Sequence, residues 1–158
     1  MPLLLARIDD RLIHGQVVLG WSRVLKPDRI AVANDRVAGS AWERKFFAAS
    51  VPSHIKVSFA TLDEAAVELL NSPPAGESVM MLFESIGDVC MMIEKGVRLP
   101  EVNVGGLHFR EGTRELVPFV FVTEEDRTLL GRLAQRGVRL LAQDLPGNTA
   151  TVLNTMVP

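Results

Sequence analysis

Short apolar runs alternate with longer amphipathic stretches along almost the whole chain. Runs that read as strands lie near Leu3 to Ile8, Arg29 to Ala33, Ile55 to Phe59, Val79 to Phe83 and Glu101 to Gly105. The first of them, Leu3-Leu4-Leu5-Ala6, has no polar alternate, the pattern of a strand covered on both faces. The stretches between the runs are long enough for helices, which predicts repeated βαβ units on a mostly parallel sheet. Helix starts are marked by Thr61 with Glu64, Ser85 with Asp88 and Thr123 with Asp126, each a hydroxyl followed three residues later by an acid. Gly96 and Gly137 follow helical patterns as C′ glycines would. Asn71 to Gly76, with two prolines, reads as a loop.

Two stretches depart from the alternation. Only about a dozen residues separate Gly105 from the strand-like Phe119-Val120-Phe121-Val122, marginal for a helical crossover, so one strand is expected to be antiparallel or irregular. After a helix over roughly Glu124 to Arg136 and a strand over Val138 to Ala142, Thr149 to Met156 reads as a short terminal helix.

Size and charge narrow the function. With 158 residues, 47% hydrophobic and 23% charged, the chain fits one compact domain. A net charge of −2 and a pI near 5.9 supply no basic surface for nucleic acid. The lone Cys90 makes no internal disulfide and reads as core packing, and there is no signal-peptide pattern or membrane-length apolar run, which points to the cytoplasm. Trp21 and Trp42 lie on apolar stretches and read as packing residues, Trp21 close enough to the first loop to shape it.

In open parallel sheets the binding crevice forms outside the carboxyl ends of strands. Those ends carry Asp9, Asp10, Arg11 and His14 after the first strand, Asn34 and Asp35 after the second, Ser85 after the fourth, and Gly105, Gly106 and His108 after the fifth. Asn34 and Asp35 also read as a turn or cap, and His54 as a solvated turn residue. The first loop stands apart because its residue types suit one task. His14 sits where a strand gives way to a helix beginning at Gly15-Gln16-Val17. An imidazole with an ordinary pKa near 6.5 is mostly neutral at pH 7 and can attack phosphorus. Free N–H groups of the helix start and a forked Arg11 can then hold the transferred oxygens, and Gly15 lets the backbone come close. Asp9 and Asp10 suit a dianion poorly; at least one of them is expected to bind loop amides, position Arg11 or orient the imidazole. Capping or core satisfaction of His14 stays open on the residues alone.

The run Arg7-Ile8-Asp9-Asp10-Arg11-Leu12-Ile13-His14-Gly15-Gln16-Val17 resembles the phosphorylation-site motif of the IIB component of the mannose/fructose/sorbose family of the bacterial phosphoenolpyruvate-dependent sugar phosphotransferase system (PTS). Further similarity lies in Arg29 to Asp35, Asn103 to Gly112 and Thr123 to Asp126, so the resemblance covers nearly the whole chain. It implies an α/β fold, a three-layer α/β/α domain over residues 1-158, with a mostly parallel central sheet of order about 3-2-4-1-5-6 plus one extra strand. It implies a phosphotransferase in which His14 accepts a phosphoryl group from the IIA component and passes it to sugar in the IIC/IID membrane permease, with Arg11 as the main phosphate partner, Asp10 holding the loop or the imidazole, and no cofactor or metal. Such a protein is cytoplasmic, peripheral at the inner membrane only through the permease; whether it forms a homodimer stays open. Arg7, Arg11, Arg110 and Arg114 would make a locally positive docking face, with Gln16 beside the phosphate. The stretch Gln143 to Val152 departs from the family's polar, lysine-bearing pattern. A regulatory phosphorelay protein that receives phosphate on His14 without moving sugar fits the same residues. An anion nest at Gly105-Gly106 and a structural metal site fit them less well.

Overall fold

The computed structural model describes residues 2–72 and 75–158. Within the predicted loop Asn71 to Gly76, Pro73 and Pro74 fall outside the described residues. The first five strands are parallel and carry the predicted pattern: β1 (Leu3–Asp9), β2 (Arg29–Ala33), β3 (Lys56–Ala60), β4 (Val79–Phe83) and β5 (Glu101–Gly106). A hairpin follows, β6 (Arg114–Val117) with β7 (Val120–Val122), and then β8 (Arg139–Ala142) and β9 (Thr151–Val152). The main sheet runs β3-β2-β4-β1-β5-β8-β9, with β9 antiparallel to β8. The expected order is present once β8 is counted as the sixth strand and β9 as the extra one. β1, at the centre between β4 and β5, carries the candidate loop at its carboxyl end.

The first connection begins as a π-helical segment, Gln16–Trp21, and continues as α1 (Ser22–Leu25), which a left-handed Lys26 stops. It lies on one face of the sheet with α2 (Asp35–Ala38) and α3 (Ala41–Ala49), around Ile30, Val32, Met80 and Leu82. The other face, with Ala31, Ala33, Met81 and Phe83, carries α4 (Leu62–Asn71), α5 (Ile86–Glu94) and α6 (Glu124–Gln135). Alternation along each strand thus divides the apolar residues between two cores, and three layers result. The predicted caps form: Thr61, Ser85 and Thr123 accept from the amides of Glu64, Asp88 and Asp126, and Asp126 returns a bond to Thr123. Gly96 and Gly137 have φ of +92° and +83°, the left-handed turn that a C′ position asks of glycine.

Three expectations need correction. The strand predicted from Phe119 begins at Val120, because Phe119 has φ +64° and forms the hairpin turn; this hairpin hangs from the end of β5 through bonds between Leu107 and the backbone of Phe119 and Phe121. Thr149 to Met156 is not a helix. The Leu153 amide donates to the Leu140 carbonyl, and the Asn154 side chain accepts from the Leu140 amide and donates to the Val138 carbonyl, so the segment runs along β8, with Thr151–Val152 as the added edge strand. Trp42 is not packed but exposed on α3, a helix with no buried residue. Cys90 is buried in the core, as expected.

Candidate functional site

Strand alternation places Leu5, Arg7 and Asp9 on one side of β1, under the π-helical segment. Both charged side chains are fully buried. Arg7 was expected on a docking face; it is instead sealed beneath Trp21, 5.1 Å from the indole centroid, and its guanidinium lies where a Cβ on Gly105 would overlap it. Residue 105 must therefore be glycine for the arginine to fit, and the same packing leaves no anion nest on that side of Gly105. A Cβ on Gly106 would meet the Asp9 carboxylate at ordinary contact distance.

Asp9 gathers the loop around itself. Its Oδ1 accepts from the Arg11 amide at 3.1 Å and from Arg11 Nε at 3.4 Å, while Oδ2 accepts from Arg7 Nη2 at 3.2 Å and meets His14 Nε2 at 2.9 Å. Burial pushes the Asp9 carboxyl up, but the hydrogen bond and charge of His14, the Arg7 guanidinium and the Arg11 amide together hold it below its ordinary value. An ionised carboxylate only accepts, so Nε2 carries a proton, and whenever the ring is neutral its lone pair is on Nδ1. The Gln16 amide donates to that Nδ1 at 3.3 Å. Arg11, partly exposed, donates from Nη2 to Gln16 Oε1 at 2.7 Å. Leu12, buried with φ +56°, turns the chain between Arg11 and His14.

Of the two positions open to Asp10, the loop is the one observed. Its carboxylate accepts from the His108 amide at 2.7 Å and pairs with His108 Nδ1 at 2.6 Å, so it fastens the end of β5 and leaves the imidazole of His14 to Asp9. Asn34 caps α2 by accepting from the Val37 amide and donates to Glu84; Asp35 accepts from the Leu62 amide. Ser85 caps α5, and Arg110 pairs with Asp126 at 2.7 Å. These four residues cap helices or tie neighbouring elements together, and none of these bonds is to His14. Gly15 begins the π-helical segment, where an added Cβ would meet open space. His54 is an exposed turn residue.

Sequence reasoning missed two features of the site. Arg7 and Asp9 are spaced by two at the end of an apolar strand, a signal that puts the two opposite charges on one side of β1, next to each other. The other is an open trough of about 880 Å³ beside the loop, lined by Arg11, Ile13, His14, Leu19, Phe46 and Phe47. The ring of Trp42 meets that of Phe46 edge-on at 6.2 Å.

Comparison with known proteins agrees with this architecture. The family described as PTS system sorbose subfamily IIB component matches residues 3–157. The chain is 35% identical over 150 residues to the PTS system fructose-specific EIIB component of Bacillus subtilis, covering 95% of this chain and 92% of that protein. It is 37% identical over 141 residues to the PTS system mannose-specific EIIAB component of Escherichia coli K12, covering 89% of this chain and 43% of that longer protein. The crystal structure of the IIBSor domain of the sorbose permease from Klebsiella pneumoniae superposes with a TM-score of 0.90 at 32% identity, over 99% of this chain and 96% of that one. Match length, identity and superposed fold agree, and the chain belongs to the sorbose-subfamily IIB components of the PTS, phosphotransferases of sugar uptake.

Proposed function

We propose that His14 is the phosphoryl carrier of this IIB component, taking the group on Nδ1 from a phosphohistidine of a IIA component and delivering it to a sugar held by the IIC/IID permease at the cytoplasmic face of the membrane. The observation that carries this reading is the Asp9–His14 pair. A buried, ionised carboxylate holds the Nε2 proton, and the nucleophilic nitrogen faces the amide of Gln16 on an accessible loop.

Phosphoryl transfer asks little covalent work of a protein beyond alignment and charge stabilisation. The Nδ1 lone pair attacks phosphorus as the donor's N–P bond breaks, and the donor ring leaves with that electron pair. The Gln16 N–H and the Arg11 guanidinium then face the oxygens of the new phosphohistidine, where charge-assisted bonds are strongest. Delivery to the sugar repeats the displacement with a hydroxyl as acceptor. No step requires a metal.

A partner whose phosphorus reaches Nδ1 must cover the surroundings of His14. The apolar trough, lined by Phe46 and continued by Trp42 at 71% exposure, supplies a contact surface there, and Arg11 forms its polar side. Phosphorylation is tested with phosphoenolpyruvate, the two general phosphotransferase proteins and a IIA component, followed by mapping of acid-labile phosphate. Label on the wild type that vanishes in His14→Ala supports the reading. No label, or undiminished label in the variant, refutes it.

A further inference from the structure

Arg7 is the largest fully buried side chain among the described residues, and no step above uses it. Taking a guanidinium out of water costs several kcal/mol unless each donor finds a partner. The fold supplies nearly all of them. Nη1 donates to Asn103 Oδ1 and to the Gln143 carbonyl at 2.9 Å, and Nη2 donates to Asp9 Oδ2 and to the Asp144 carbonyl at 3.0 Å. Trp21 covers one face, donating its indole N–H to the same Asp144 carbonyl at 2.9 Å, and the other face is received by the bare backbone of Gly105. Only Nε lacks a partner.

One atom joins this buried arrangement to the chemistry. Asp9 Oδ2 accepts from Arg7 and from the ring of His14 together. From this shared oxygen we infer that Arg7 is a positioning residue for phosphoryl transfer, fixing the Asp9 carboxylate in its ionised form and thereby the proton of His14 on Nε2. The inference rests on the phosphocarrier reading of His14.

A fully buried carboxylate without its guanidinium is driven toward the protonated acid by desolvation. A protonated Asp9 would donate to Nε2 instead of accepting from it, and the ring proton would move to Nδ1, the nitrogen that must carry the lone pair. Arg11 is a poor substitute, since its guanidinium is partly exposed and reaches Asp9 through Nε at 3.4 Å only. The arrangement also gives the turn after β8 a role. Gln143 and Asp144, in the stretch that departs from the family's usual composition, contribute backbone carbonyls, which any side-chain sequence supplies.

The test is the ring ¹⁵N spectrum of His14, assigned by the loss of its signals in His14→Ala, read beside the rate of phosphorylation by the donor protein. Wild type is expected to show the Nε2–H tautomer. Arg7→Met is expected to shift the ring toward Nδ1–H and to slow transfer by roughly 100-fold, with the donor's KM little changed. Arg7→Lys keeps the charge and loses the fork, and Asn103→Ala removes one acceptor; both are expected to move spectrum and rate in the same direction by less. If Arg7→Met does not fold, these two decide. Folded variants that keep the wild-type tautomer, or a rate that falls only with the folded fraction, would overturn the inference. A wild type that takes no label on His14 would instead refute the carrier reading, leaving the tautomer measurement intact.

Discussion

Two histidine–aspartate pairs stand at the carboxyl edge of the sheet, and their difference separates distance from consequence. His108 meets Asp10 at 2.6 Å, the shorter contact, with 57% and 26% of the two side chains exposed. His14 meets Asp9 at 2.9 Å, with 14% and 0% exposed. Water screens the first pair and competes for its hydrogen bonds, so its short distance is worth little. In the second the carboxylate lies where water does not reach, and a change of charge there must be answered by Arg7 or by movement of a proton. Neighbouring aspartates thus do different work because strand alternation turns Asp9 into the layer beneath Trp21, whereas Asp10, past the end of β1, fastens the backbone of His108.

The comparison breaks most sharply at the rings. On the carrier reading, His14→Ala abolishes transfer from the donor protein, whereas His108→Ala lowers it by less than about fivefold, the equivalent of an exposed pair worth about 1 kcal/mol. Equal losses in the two variants would erase the distinction. The carboxylates come next. Asp9→Asn leaves the Arg7 charge buried without its counter-ion and is expected to cost about 3 kcal/mol in urea unfolding, against at most about 1 kcal/mol for Asp10→Asn. Acid sharpens the same contrast. Because the folded Asp9 carboxyl lies below its ordinary value of 3.8, its stabilisation is fully present above that value and is lost as pH falls through the lower folded one. The gap in unfolding free energy between wild type and Asp9→Asn should therefore be constant near neutrality and narrow below about pH 4, a trend that acid titration by circular dichroism follows. The smallest effect is expected at the rim: Arg110→Ala removes an exposed pair with Asp126 and should change stability by about 0.5 kcal/mol, less in high salt.

The sheet was legible in the chain because its inner strands are buried on both faces and its helix starts carry explicit caps. The carboxyl edge followed from topology, and the loop from its residue types. The remainder depended on contacts distant in sequence. Alternation along β1 puts Asp9 on the side of Leu5 and Arg7, but what closes over that side comes from afar: Arg7 lies opposite Asn103 and Asp9 opposite Gly106 on β5. Arg7 looks like a surface charge until the backbone of Gly105 and the carbonyls of Gln143 and Asp144 enclose it. The end of the chain misled for a related reason. Val152, Leu153 and Met156 mimic a helical face, but Asn154 bonds the backbone of β8 and holds the segment alongside it, with β9 pairing at Thr151–Val152. Trp42 carries an apolar pattern on a helix whose side chains the fold leaves uncovered, and composition does not distinguish a core from a docking surface.

The placement of the two tryptophans gives the protein a pair of optical reporters. Trp21 is held against a guanidinium in the buried support of the loop, and its emission is shielded from aqueous quenchers. Trp42, on the outer face of α3, is open to them. A single fluorescence trace with and without iodide therefore resolves the interior of the loop's support from the rim of the trough, without a label attached to either.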